Sequence, residues 1–341
     1  MVLERPEEMF ATNNAPAPAL RWLFPNYSQK QTADLIASCE LTDAQRASLL
    51  DKSKSEPANN GWILWPSPAV VKELSPPARE KIYSVLAQSR ENAGQAFPFV
   101  YRKDGFDEWF SGCELPPEKV GLVRKLAYPK NDLLCFADVQ VFELLSSSNE
   151  THCLIKTLCR VPTLMMKLKL SPQTDIDALI EYWGGCCKAK AVKPLLKSMA
   201  RVPGGSDLNI SYFLPSVPRL RLYTYPDPAS PVREDCFWSS FNFFSDEPDD
   251  RFINPEYADR ILQSDFTEVH GEKRFGDLML LESAEKAVHM CVYMADDIVY
   301  TKNGGHIYQP WVLMRIADMM VQYQSDQPQR WRVFRKTLSK T

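Results

Sequence analysis

The stretch GDLMLLESAEKAVHMCVYMADDIVY, residues 276–300, decides how the rest of this chain is read. FGDLMLLE, AVHMCVYM and DIVYTKN read as three short strands, the last two joined at Ala295-Asp296-Asp297. In the middle strand His289, Cys291 and Tyr293 share one face, and Val288, Met290, Val292 and Met294 share the other. A histidine at the start of such a strand raises the question of a partner. The candidate lies upstream in EDCFWSSFNFF, residues 234–244, which reads as a helix start with Cys236 in its first turn. The positive end of a helix lowers the pKa of a thiol placed there. The backbone N–H of Cys236 is then also aimed at a developing oxyanion. Glu234 and Asp235 oppose the pKa depression.

Outward from this pair, RLRLYTYPD alternates like a strand, NPEYADRILQSDF reads as a helix, and PWVLMRIADMMVQYQ as a closing amphipathic helix. Strand, helix, helix and meander make an α+β domain over residues 215–325. Residues 1–30, rich in Pro, Ala and Asn, form an irregular lead-in. Residues 31–205 read as a multi-helix domain. Thr42 stands three residues before Gln45 as a capping box, and Ser75 caps a helix with Pro76 at its first position. NDLLCFADVQVFELLSSS, HCLIKTLCRVPTLMMKLKL and TDIDALIEYWGGC show helical spacing, with Pro162 bending the second. RVPGGSDLNISYFLPSVP, residues 201–218, carries boundary signals. Residues 326–341 form a basic tail holding Arg330, Arg332, Arg335, Lys336 and Lys340, read as solvated.

The composition excludes several classes. Of the 341 residues 45% are hydrophobic and 24% charged, as in an ordinary globular chain, and a net charge of −3 gives no electrostatic case for nucleic acid or an anionic membrane. No uninterrupted apolar run approaches the roughly 20 residues of a membrane span. Three glutamates in the first eight residues argue against a secretory signal, so a cytoplasmic location is expected. The nine cysteines are odd in number and irregular in spacing, with no C-x-x-C pair. Neither the adjacent Cys186 and Cys187 nor Cys153 and Cys159 near His152 has metal-ligand spacing, so buried reduced thiols and no metal or other cofactor are expected.

The order Asp235-Cys236, Gly276-Asp277-Leu278-Met279-Leu280, then His289 in the run to Asp296 resembles the NlpC/P60 family of papain-like cysteine peptidases and amidases. The spacings of 53 residues from Cys236 to His289 and 13 from Gly276 to His289 suit that family. The resemblance covers about a third of the chain and implies a papain-like α+β domain with a short antiparallel sheet. It also implies Cys236 as nucleophile, His289 as base, and a polar residue on the following strand that orients the imidazole. Asn303 is favoured for that role because its carbonyl can accept from an imidazole N–H; Thr301 is the second choice. Tyr223 and Tyr225 stand where the family has an upstream tyrosine, and with Trp238 they are the candidate substrate-binding side chains. Bulky Phe237-Trp238 replaces the small pair usual after the cysteine, and the family's Gly-Gly loop is missing. His270 and His306 read as loop residues, and Asp296 and Asp297 as turn formers.

The expected function is hydrolysis of, or acyl transfer from, an amide or peptide bond, of which cell-wall-type peptides are the family's common example. The helical domain is left with packing, binding of a protein partner or substrate selection. Two alternatives stand beside this reading. One is an inactive scaffold of the same fold with a partner-binding helical domain. The other is an unrelated helical protein in which the Cys and His coincide by chance.

Overall fold

The computed structural model describes residues 1–7, 19–183, 189–284, 286–325 and 327–337. Cys186, Cys187 and Lys340 lie outside these. The chain divides into two compact units, Pro6–Leu158 and Met1–Arg5 with Cys159–Thr341.

The unit Pro6–Leu158 is α+β, where a purely helical domain was expected. Its helices include Asp43–Leu49, capped by Thr42 with Gln45, and Pro76–Leu86, capped by Ser75. Between them run two antiparallel sheets of three strands each, one formed by Trp22–Pro25, Gly61–Leu64 and Ser55–Ala58, the other by Phe99–Arg102, Leu133–Phe136 and Tyr128–Lys130. Leu133–Phe136 belongs to the run that was expected to be helical. Four consecutive apolar residues satisfy a strand buried on both faces and a helix core equally well. The apolar core of this unit holds a buried polar cluster. Arg79, fully buried, pairs with Asp138 and gives a second nitrogen to the Val71 carbonyl at 2.8 Å; the Tyr83 hydroxyl donates to Asp138 at 2.6 Å.

The second unit is built on a six-stranded antiparallel sheet. Its strands are β1 (Phe266–Glu268), β2 (Leu278–Ser283), β3 (Lys286–Ala295), β4 (Ile298–Lys302), β5 (Trp311–Arg315) and β6 (Gln329–Lys336), in the order β1-β6-β2-β3-β4-β5. The helices α1 (Cys236–Phe241), α2 (Pro255–Asp265) and α3 (Ile316–Met320) complete the site's surroundings. The three strands expected from residues 276–300 are β2, β3 and β4, and Asp296 turns the β3–β4 hairpin with φ 51°. Gly276 has φ +89°, and a Cβ there would lie 2.1 Å from the Phe244 ring, so only glycine fits. Asp277, buried, takes both Arg335 nitrogens at 2.7 and 2.6 Å.

Four expectations change. The boundary lies at 158/159, not near 201–218, because Leu170, Ile176, Trp183, Leu196 and Leu208 share one core with Trp238, Phe275 and Leu278. The Gly204-Gly205 signal marks a turn within that unit. RLRLYTYPD is not a strand: Ser216–Arg221 is helical, and Tyr223 takes φ 66°. Residues 311–315, expected to open a helix, form β5, and only Ile316–Met320 is helical. The basic tail is largely β6. Its Arg330, Arg332 and Arg335 are spent in ion pairs with Glu282, Glu268 and Asp277 across the sheet. Among the described residues no helix is long and apolar enough to cross a membrane.

The Arg79–Asp138 pair gives a direct test. Replacing Asp138 with Ala leaves a buried guanidinium and the Tyr83 hydroxyl without their partner, and such a loss costs about 3–5 kcal/mol. Urea denaturation of Asp138→Ala should show this as a large fall in midpoint. A fall worth less than about 1 kcal/mol, the scale of a surface pair, would show that water relieves the pair.

Candidate active site

Cys236 is the first residue of α1, and Asp235 is its cap, accepting the Trp238 N–H at 2.8 Å. The helix packs on β3 and β4. Registered pairing between β3 and β4 reaches inward only to Val292↔Tyr300. The Met290 N–H is among the groups that oppose the rise of the Cys236 thiol. Cys236 is only 4% exposed and His289 0%.

The imidazole is fixed by a chain of side chains on one face of the sheet. His289 Nε2 lies 3.0 Å from Thr301 Oγ1, and Thr301 Oγ1 donates to Asn303 Oδ1 at 3.2 Å. A hydroxyl has one proton, and this one is committed to Asn303. Thr301 must then accept from Nε2–H, which leaves the lone pair on Nδ1. Asn303 is held in turn by an N–H to the Met314 sulfur at 3.3 Å. Nδ1 is buried and has no hydrogen-bond partner among the described residues. The two orienting candidates, Thr301 and Asn303, thus act in series, with Thr301 in direct contact.

Burial dominates the electrostatics. It holds the imidazole down to about 3 and lifts the Cys236 thiol to about 12, with the Asp235 charge adding to the rise. At neutral pH both groups are uncharged in this closed arrangement. Two side chains that the sequence reading missed shape it. Tyr323 stacks on His289, ring centroids 4.3 Å apart at 23°. Lys302, fully buried, donates to the Gly304 and His306 carbonyls at 2.7 and 3.1 Å, and desolvation brings its ammonium down to about 8. The loop it holds lies against the start of α1, since a Cβ on Gly305 would sit 3.6 Å from that of Asp235. Neither residue carries a sequence signal. Tyr323 reaches the site from a distant turn, and Lys302 is an unremarkable alternate position in a strand.

The expected substrate-binding residues are placed elsewhere. Tyr223 donates its hydroxyl to the Leu164 carbonyl at 2.8 Å, and the Tyr225 hydroxyl faces the carbonyls of Leu3 and Cys159 at 3.4 and 3.5 Å. Trp238 is fully buried, with its indole N–H on Asp250 at 3.0 Å. All three are engaged in packing this unit. His306 is exposed, and its Nδ1 accepts the Tyr308 N–H. The seven described cysteines are free thiols, and no group of three or more His, Cys, Asp or Glu able to hold a metal occurs among the described residues.

Comparison with protein-family models, curated proteins and solved structures gives no match. The likeness to NlpC/P60 rests on the residues quoted above.

The depressed imidazole predicts a pH dependence of stability. In the unfolded chain His289 binds a proton near pH ~6.5, whereas the folded site refuses it down to about 3, so the unfolded state holds more protons between these limits. The stabilisation is present above about 6.5 and is lost as pH falls toward 3. Thermal melts from about pH 7 to pH 4 should fall more steeply for the parent chain than for His289→Gln. Parallel curves would show that His289 is protonated in the folded state.

Proposed function

We propose that this chain is a thiol-dependent hydrolase or acyltransferase of NlpC/P60 type, acting on an amide or peptide bond such as those of cell-wall-type peptides. The observation that carries this reading is the tautomer. Thr301 holds the Nε2 proton, which leaves the Nδ1 lone pair free to act as a base, and Met290, the next residue along β3, is among the groups that act on the Cys236 thiol. In the reaction Nδ1 takes the thiol proton and the sulfur attacks the carbonyl carbon. The imidazolium then returns the proton to the leaving nitrogen, and water or a second nucleophile takes the acyl group from sulfur. The Cys236 N–H at the start of α1 is the backbone donor proposed for the oxyanion. The location proposed is cytoplasmic, with a protein partner of the unit Pro6–Leu158 as the role left to it.

One observation favours the second reading, an inactive scaffold of the same fold. Both reactive groups are closed off from solvent and neutral, and a thiol raised to about 12 is a poor nucleophile.

An activated ester separates the two, because p-nitrophenyl acetate demands little recognition. The expected result is an acetyl adduct on the Cys236 peptide, absent in Cys236→Ala and formed about a hundredfold more slowly in His289→Gln. His289→Gln is preferred to alanine because it fills the buried space between Thr301 and Tyr323. Adduct formation that His289→Gln leaves unchanged would sink the base assignment. No adduct on Cys236 under any condition would favour the scaffold.

A further inference from the structure

We infer that Tyr323 is the gate of the Cys236–His289 site: its ring must leave the face of His289 before an acyl group can meet the sulfur. The inference rests on the reading of this site as a thiol centre.

Tyr323 belongs to the short turn Val321–Tyr323 that follows α3. Its neighbours Gln322, Gln324 and Ser325 are exposed, while its own ring turns inward and lies flat on the imidazole. Among the described residues its hydroxyl makes no hydrogen bond, so stacking and packing hold the ring. On the N-terminal side the turn is anchored by Met319, fully buried with Cys291, Val299, Val312 and Met314. On the C-terminal side the Gln329 side chain donates to the Tyr323 carbonyl at 2.6 Å. The ring can therefore swing into solvent on a tethered turn while β5 stays paired with β4, and β6 with β1 and β2.

The ring lies on the face of His289, and its phenol is close enough to Cys236, Cys291 and Asp235 that their ionised forms would raise its pKa. The other charged group close by, Lys302, is tied to the carbonyls of Gly304 and His306. With Tyr323 in place Nδ1 is buried, with no hydrogen-bond partner among the described residues to support a proton. With the ring out, hydration moves imidazole and thiol back toward their ordinary ranges, where proton transfer between them becomes feasible. The contact that blocks the site is thus also the contact that keeps its chemistry silent.

The test compares Tyr323→Ala and Tyr323→Phe in the full chain by two readouts that need no substrate. One is iodoacetamide labelling of Cys236 followed by peptide mass spectrometry. The other is the NMR titration of the His289 ring. Tyr323→Ala should raise Cys236 labelling about tenfold or more and bring His289 up from about 3 toward about 6.5. Tyr323→Phe keeps the stacked ring and should behave as the parent. Tyr323→Leu, which fills space without stacking, guards against a merely unfolded variant. The gate is overturned if parent and Tyr323→Ala label alike, if the His289 titration does not move, or if labelling rises equally at buried Cys159 in both the Ala and Leu variants. A variant that opens by both readouts yet forms no acetyl adduct on Cys236 supports the gate and overturns the hydrolase reading instead.

Discussion

One proton, that of the Thr301 hydroxyl, sets the chemistry this site can perform. Because Asn303 takes it, Thr301 has only lone pairs to offer His289, and the imidazole must carry its own proton on Nε2. A different partner at position 301, for instance a carboxylate, would also hold Nε2–H but would place a charge in a fully buried pocket. A hydroxyl polarised by a neutral amide orients the ring without that cost. The rest of the sheet serves this arrangement. β3 and β4 must be neighbours for Thr301 to reach His289, and β5 must lie beyond them for Met314 to hold Asn303.

The same burial that makes the hydrogen-bond chain strong makes the pair inert. A thiol and an imidazole ionise together only where their mutual attraction exceeds the loss of water around both, and in this closed arrangement desolvation is the larger effect for each. Asp235 adds to the imbalance, being both the cap of α1 and a negative charge beside the sulfur. Lys302 works in the opposite sense, but its ammonium is held by carbonyls of its own loop. On the proposed reading, hydration is what separates this closed arrangement from one in which Cys236 and His289 could exchange a proton.

The unit Pro6–Leu158 shows a different use of buried polarity. Arg79, Asp138 and Tyr83 bind one another inside an otherwise apolar core, with Arg79 Nε left without a partner among the described residues, and join the helix Pro76–Leu86 to the segment following the strand Leu133–Phe136. A buried ion pair of this kind seldom adds much net stability over an apolar core, but removal of one member is severe. It ties together elements whose sequence patterns are individually ambiguous.

Local rules made the caps at Thr42 and Ser75, the helix start at Cys236 and the meander from β2 to β4 legible in the sequence, because each depends on residues within a few positions of one another. The alternation along β3 separated the His289, Cys291 and Tyr293 face from the Met290, Val292 and Met294 face for the same reason. Short apolar runs such as Leu133–Phe136 and residues 311–314 were not legible, since burial on both sides removes the period that tells strand from helix. The hydrogen bonds of Tyr223, Tyr225 and Trp238 were not legible either, because a sequence shows an aromatic side chain but not which carbonyl or carboxylate its polar end will find. The pairing of β6 with β1 and β2, the series His289–Thr301–Asn303 and the ring of Tyr323 over the imidazole were decided by tertiary structure alone. Their partners lie far apart in the chain or on separate strands, and only the closing of the sheet brings them within hydrogen-bonding or stacking distance.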